Sequence, residues 1–242
     1  MSSEIHPAVW QYAENSKIHF HPIVDLDTDE IVGAEALFRP NGCSPQVALA
    51  AALKDGSMPQ LGQWILSEAC SNLAWLLASG AVNGAFVLSV NVHRCQLGPK
   101  FFEQVMSQLE TNGIPPRRLR LEIIEDGVIS RRNELVLRRL EKSGVGSVLD
   151  DTDSRTEWAF PGDLFPIWKV SQHLLRGDPG RLEGLVAKAR AAGKLVIVEG
   201  VETQRDLVLV RRLGVRFVQG FLFSRPIGLQ QFITWLAGQT QH

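Results

Sequence analysis

Glu35, Asn91, Glu122, Asp150, Asp151, Lys169, Glu199 and Gln219 each stand at or near the C-terminal end of a short apolar run, in IVGAE, VLSVN, LRLEII, GSVLDD, FPIWK, LVIVE and RFVQ. One carboxylate ending one strand means little, because loops begin there and loops are polar. Acids, amides and one lysine ending strand after strand make a set of hard-oxygen ligands with a cation among them. Carboxylates facing one cavity repel each other unless they are protonated or neutralised by bound cations. The set contains no Cys and no His-x-x-x-His, which selects Mg2+ or Mn2+ over zinc or copper. It holds enough carboxylates for two ions, which stand about 3.5–4 Å apart in two-metal hydrolytic sites. Such a site suits phosphodiester cleavage. Lys169 would position or deprotonate a water, or offset charge in the transition state.

The elements that must carry these residues alternate. Strand candidates IHFHPIVDL, EIVGAEALF, GAFVLSVNV, LRLEII, GSVLD, FPIWKV, KLVIVEG and RFVQGFLFS are separated by amphipathic stretches such as QLGQWILSEACSNLAWLLASG, RRNELVLRRLEKSG and TQRDLVLVRRLG. Nearly every helical stretch stops at a glycine, where a C-terminal cap takes the left-handed conformation. The first two strands differ, because Asp27-Thr28-Asp29 reads as a hairpin turn between them. Strand–helix alternation after that implies a mainly parallel sheet covered by helices. Eight strands in one domain favour a closed barrel, whose C-terminal strand ends converge on one face.

Length and composition agree. The 242 residues suit one domain over 1–242, and 45% hydrophobic against 21% charged residues supply a core and exclude disorder. A formal net charge of -1 argues against a nucleic-acid polymer as partner. Three cysteines (Cys43, Cys70, Cys95), none in a Cys-x-x-Cys pair, fit a reducing cytoplasm. No signal peptide is evident, and the uncharged segment from Ala69 to Val92 is broken by polar residues and glycines, so no membrane span is expected. Neither G-x-G-x-x-G nor G-x-x-x-x-G-K-[ST] occurs, which weakens nucleotide-cofactor readings.

Plainer roles compete at several positions. Asn91 could satisfy turn backbone groups, Asp150-Asp151 could cap a following helix, and Glu202 could place negative charge before the helix starting near Thr203. Lys169, between Trp168 and Val170, is expected to be enclosed. His19 and His21 alternate onto one strand face and are read as packing or hydrogen-bonding groups, since no third imidazole accompanies them. Arg131, Arg132, Arg138 and Arg139 read as a solvated helix face, and Trp64, Trp75 and Trp235 as core or interface.

The run IVGAEALFRP resembles the signature that names the EAL domain, the bacterial cyclic di-GMP phosphodiesterase family. The similarity continues in order through LSVNVHRCQL, RLEIIED, VLDD, IWKV, VIVEGVET and FVQGFLFSRPI, from about Phe20 to Ile227. It implies an α/β fold, a modified TIM (β/α)8 barrel with one antiparallel strand. It also implies hydrolysis of cyclic di-GMP to linear pGpG, dependent on Mg2+ or Mn2+ and inhibited by Ca2+, by a homodimer. Residue by residue, the resemblance assigns Glu35, Asn91, Glu122, Asp150, Asp151 and Glu199 to metal binding and Lys169 to the general base or water activation. Catalysis is thus expected to rest on Lys169, Glu35 and Glu199. Gln219 would bind near the metal-bound water, Arg39 a ligand phosphate, and Leu37 a guanine. Glu202 would tether the loop after the paired aspartates.

Departures concentrate in that loop. The family's DDFGTGYSS is here DDTDSRTEW, with its glycines gone and Asp153 at a glycine position, and the segment up to Lys169 is shorter. The family's KID is Lys169-Val170-Ser171, His21 replaces a common glutamine, and Pro40 a common tryptophan. Two functions therefore stand side by side: an active phosphodiesterase, or a weak or inactive member acting as a cyclic di-GMP receptor or protein-interaction module with a regulatory partner. An unrelated Mg2+-dependent barrel enzyme would require the ordered motifs to be coincidence.

Overall fold

The computed structural model describes residues 13–124, 129–152 and 163–239. The chain opens with β1 (Lys17–Asp25) and β2 (Glu30–Arg39), antiparallel and joined by the Asp27-Thr28-Asp29 turn. Asp29 takes φ 55° there, and Asp25 Oδ1 accepts from the Asp27 amide at 3.0 Å. Then follow α1 (Pro45–Lys54), α2 (Met58–Ala78), β3 (Val87–Val92), α3 (Phe101–Thr111), β4 (Leu119–Ile124), α4 (Arg131–Lys142), β5 (Gly146–Thr152) and β6 (Ile167–Val170). The remainder is α5 (Gln172–Gly177), α6 (Pro179–Ala191), β7 (Leu195–Val198), α7 (Gln204–Arg212), β8 (Phe217–Val218), β9 (Ile227–Gly228) and α8 (Leu229–Gln239).

Strands β2 to β8 pair in parallel in chain order, and β1 closes the ring antiparallel to both β8 and β2. β9 lies outside this closed eight-stranded barrel and adds to β1 at His19 and Phe20. The expected barrel with one antiparallel strand is the observed one. All six glycines that end the amphipathic stretches have positive φ: Gly56 78°, Gly80 69°, Gly113 63°, Gly144 93°, Gly193 68° and Gly214 67°. Each helix stops where the chain needs a conformation that only glycine adopts without strain. At the other ends, Ser44, Ser130, Asp178 and Thr203 accept hydrogen bonds from first-turn amides.

The main core lies between the outside of the barrel and the helices, where Phe20, Ala34, Leu61, Leu73, Leu88 and Leu121 are essentially sealed from solvent. A second, separate cluster fills the barrel itself: Ile23, Val148, Ile167 and Ile197, with Val32 and Phe217 against it. Burying such side chains stabilises by about 1.5–3 kcal/mol each, and this plug divides the lumen into a mouth and a foot.

Two expectations are corrected. RFVQGFLFS forms a strand only at Phe217–Val218; beyond it Leu222 N binds Val201 O and Phe223 N binds Gly220 O, so the apolar run turns back across the mouth. GAFVLSVNV is extended only from Val87. The stretch after Lys169 begins with the short α5, capped by Ser171 (the residue in place of the family's acid), before α6. The Ala69–Val92 segment divides into the end of α2, a turn and β3, and among the described residues no helix is long and apolar enough to cross a membrane. Cys43 is half-buried, Cys70 buried and Cys95 exposed, and all three are free thiols.

Candidate active site

Side chains alternate across a strand, so the inward residues of successive strands stack in rings up the lumen. The register sets Asn91 beside Glu122, Ile124 beside Asp150, and His21 beside Glu35. Backbone bonds from Glu199 N to Val170 O (3.1 Å) and Gln219 N to Val198 O (3.0 Å) carry the ladder one residue past β7 and β8. The result is a ring of polar groups above the aliphatic plug.

Lys169 is its centre. Fully buried, its Nζ donates to Glu122 Oε2 at 2.7 Å and Glu35 Oε2 at 3.2 Å. It also pairs with Glu199 Oε1 at 2.8 Å and Asp150 Oδ1 at 3.2 Å. Glu35 is the second node. Its Oε1 accepts from Asn91 Nδ2 at 2.6 Å, and its Oε2 from Gln219 Nε2 at 3.2 Å, while the same Gln219 amide reaches His21 O at 3.1 Å. Asn91 thus serves the cluster rather than a turn, and Lys169 is enclosed.

Four carboxylates around one ammonium leave a charge deficit, and the acids divide accordingly. Burial opposes ionisation of Glu35, but the Lys169 ammonium and the Asn91 amide outweigh it and hold its carboxyl below the usual range. For Glu122, burial wins, reinforced by Glu35 and Asp150, and its carboxyl is pushed well up. Burial likewise raises Asp150, and lifts Glu199 to about 7. Lys169 itself is depressed by burial but raised further by Asp150, Glu122, Glu199 and Glu35, so it holds its proton firmly. Besides protonation and metal ions, the two remedies for clustered acids considered from sequence, the chain supplies a third of its own, though an incomplete one.

That incompleteness is the test of whether a metal fits. Glu122 Oε1, Gln219 Oε1 and His21 Nε2 are buried without a hydrogen-bond partner. The donors are all hard oxygens, and three of the four acids are pushed towards protonation by burial, with their acidic neighbours adding to it. The donor chemistry suits Mg2+ or Mn2+. No three metal-type side chains among the described residues stand in a metal-ready cluster, because the acids turn towards Lys169.

The other expected residues fall at different distances. Asp151 departs from its neighbour: exposed, with φ 54°, it is turned away from the acids that reach Lys169. A left-handed non-glycine costs about 1–3 kcal/mol and is held only by its surroundings. Leu37 and Arg39 line a cavity of about 330 Å3 beside the cluster, together with Glu35, Asn91, His93 and Asp150. Arg39 donates from Nη1 to Phe38 O at 3.0 Å. Glu202 pairs with Arg176 just before the Thr203–Asp206 capping box. The loop it was expected to tether, 153–162, including Asp153, lies outside the described residues.

His21 packs against Phe221 and hydrogen-bonds the Gly220 backbone, as its reading as a packing or hydrogen-bonding group requires, and it also stands in the polar ring opposite Glu35. Burial drives its pKa down to about 4, against the pull of Glu35, so a neutral imidazole sits in the ring with Phe221 5.8 Å away. The alternation of His19 and His21 carried the signal, but the residue opposite, Glu35, appears only in the register. Gly220 makes the last contact possible: a Cβ there would stand 2.1 Å from Val201 O, so glycine lets the chain after Gln219 pack against the segment after Glu199. Gly220→Ala is expected to cost about 1–3 kcal/mol in urea unfolding; unchanged stability would show that the two segments can separate freely.

The EAL domain family model matches residues 8–158 and 169–226 of the chain. The chain is 26% identical over 236 residues to the bifunctional diguanylate cyclase/cyclic di-GMP phosphodiesterase MucR of Pseudomonas aeruginosa, covering 91% of this chain and 34% of that protein. To the cyclic di-GMP phosphodiesterase RocR of the same organism it is 29% identical over 237 residues, covering 91% of this chain and 59% of that one. The chain therefore spans a third to three-fifths of the length of these relatives. Among solved structures, a PaMucR phosphodiesterase in complex with c-di-GMP superposes with a TM-score of 0.79 at 26% identity, over 89% of this chain and 93% of that one.

Proposed function

This chain belongs to the EAL domain family, and from that membership we propose that it hydrolyses cyclic di-GMP to linear pGpG with Mg2+ or Mn2+, as a bacterial cytoplasmic signalling enzyme. One observation carries the reading: Glu35, Glu122, Asp150 and Glu199 converge on a single buried lysine at the barrel mouth, with more negative charge than that lysine offsets. The naming of MucR and RocR as cyclic di-GMP phosphodiesterases supports the substrate.

In this proposal Glu35, Asn91, Glu122, Asp150 and Glu199 would hold the metal, and Asp151, turned away from them at φ 54°, would join only by reorienting. Divalent ions, when bound there, would lower the pKa of a water and offset phosphate charge. Arg39 and Leu37, on the wall of the adjoining cavity, take a phosphate and a guanine. Gln219, anchored by His21 O, orients the water through its unpartnered Oε1. Lys169 enters as a cation: it aligns water and offsets phosphate charge, and would act as a base only after releasing its own proton, which the surrounding acids oppose until their charge is compensated. Glu202 steadies the loop after Asp151, and a homodimer completes the assembly.

Incubating the purified chain with cyclic di-GMP and Mn2+, then chromatographing for pGpG, tests the reading. Turnover is expected, and none at high enzyme concentration would defeat it. The altered DDTDSRTEW segment favours one alternative, a cyclic di-GMP receptor, and calorimetric binding without product would establish that. Glu35→Ala removes the node joining Lys169, Asn91 and Gln219 and should cut the rate by at least about 10^2-fold; an unchanged rate would remove Glu35 from the mechanism.

A further inference from the structure

At the opposite end of the barrel, below the aliphatic plug, a second cavity of about 170 Å3 has Ile23, Val32, Ile167, Ile197 and Phe217 on its apolar wall and Arg120, Asp25 and Arg216 as its charged lining. Arg120 is the second residue of β4, on the same inward face as Glu122. Its register partner on β5 is Gly146, where a Cβ would stand 3.0 Å from Arg120 Cγ. Glycine at that position leaves room for the arginine stem inside the lumen.

Among the described residues the Arg120 guanidinium forms no hydrogen bond or ion pair. The nearby acid is committed elsewhere: Asp25 accepts from Arg216 Nε at 3.0 and 2.9 Å and from Nη2 at 2.7 Å. A guanidinium stays protonated in proteins, so the charge at this position is fixed. A largely enclosed, unpaired fork of donors against a mainly apolar wall is costly by itself, and a carboxylate matches it two bonds at a time. The volume sets the rest of the ligand, since an apolar cavity of about 150 Å3 accepts benzene.

We propose that the foot of the barrel binds a small carboxylate with a compact aromatic or branched apolar body, its carboxylate on Arg120 and its body against Ile23, Val32, Ile167, Ile197 and Phe217. This site is separate from the ring around Lys169, because the plug stands between them.

Benzoate is the probe, titrated calorimetrically into the full chain, with benzyl alcohol as its neutral counterpart. One benzoate per chain is expected, with benzyl alcohol at least about tenfold weaker and R120Q weakening benzoate at least about tenfold. Saturating cyclic di-GMP should leave benzoate bound. Absence of saturable binding, equal affinity for the alcohol, equal affinity in a folded R120Q, or displacement by cyclic di-GMP would each overturn the proposal. The comparison of acid with alcohol uses the unaltered chain, so it decides the matter even where R120Q does not fold.

Discussion

Lys169→Met should abolish Mn2+-dependent turnover, by about 10^2–10^3-fold or more, and in EDTA it should also destabilise the fold by about 3–5 kcal/mol near neutral pH. The second effect separates this lysine from an ordinary active-site residue. Its ammonium is the shared partner of Glu35, Glu122, Asp150 and Glu199, and methionine keeps the length while leaving those acids uncompensated. Without it, the carboxyls that burial already raises, Glu122, Asp150 and Glu199, rise further. A folded state whose acids have raised pKa values binds more protons than the unfolded state, so stability falls as pH climbs from the unfolded carboxylate range through the folded values. The gap between parent and variant in urea unfolding should therefore be small near pH 4 and wide at pH 8. Mn2+ should narrow it. A gap independent of pH would show that Lys169 stabilises by packing rather than by charge.

Glu122→Gln should do the opposite to stability and the same to activity. Burial is the largest force on Glu122, and Glu35 and Asp150 add to it, so its ionised form is the least favoured in the ring. One of its oxygens has no partner. Glutamine keeps the shape and an acceptor for Lys169 while removing a charge that the folded state resists. In EDTA at pH 8 the variant should be more stable than the parent by on the order of 1 kcal/mol, the worth of roughly one pKa unit. At pH 4, where the parent's Glu122 is protonated, the difference should vanish. Turnover should fall by at least about 10^2-fold through loss of an oxygen ligand, a stability-for-function exchange common at active sites. A variant less stable than the parent at pH 8 would contradict the charge deficit on which the metal reading rests.

Much of this molecule is written locally. Glycines at 56, 80, 113, 144, 193 and 214 mark helix ends because a left-handed cap is a property of one residue and its neighbours. The β1–β2 hairpin follows from Asp27-Thr28-Asp29 in the same way. Once strands alternate with helices, polar residues at strand ends have one face to share, so Glu35, Asn91, Glu122, Asp150, Lys169, Glu199 and Gln219 could be gathered from spacing alone. What spacing could not reach is where periodicity fails. Asp151 follows Asp150 directly, yet φ 54° sends it elsewhere, and the apolar RFVQGFLFS leaves its strand after Val218 because Gly220 lies against Val201.

Sequence by itself determined the barrel, its antiparallel first strand and the membership of the polar ring, since each depends on short-range patterning and on the two-residue period of a strand. Tertiary structure alone decided the charge state of that ring: which acid yields to burial, that four carboxylates reach the one Lys169 ammonium, that His21 is neutral, and, at the far end, that Arg120 has no counter-ion among the described residues. Ionisation depends on burial and on distances between atoms brought together from remote parts of the chain, as with the 3.2 Å from Lys169 to Glu35, and no local pattern encodes those.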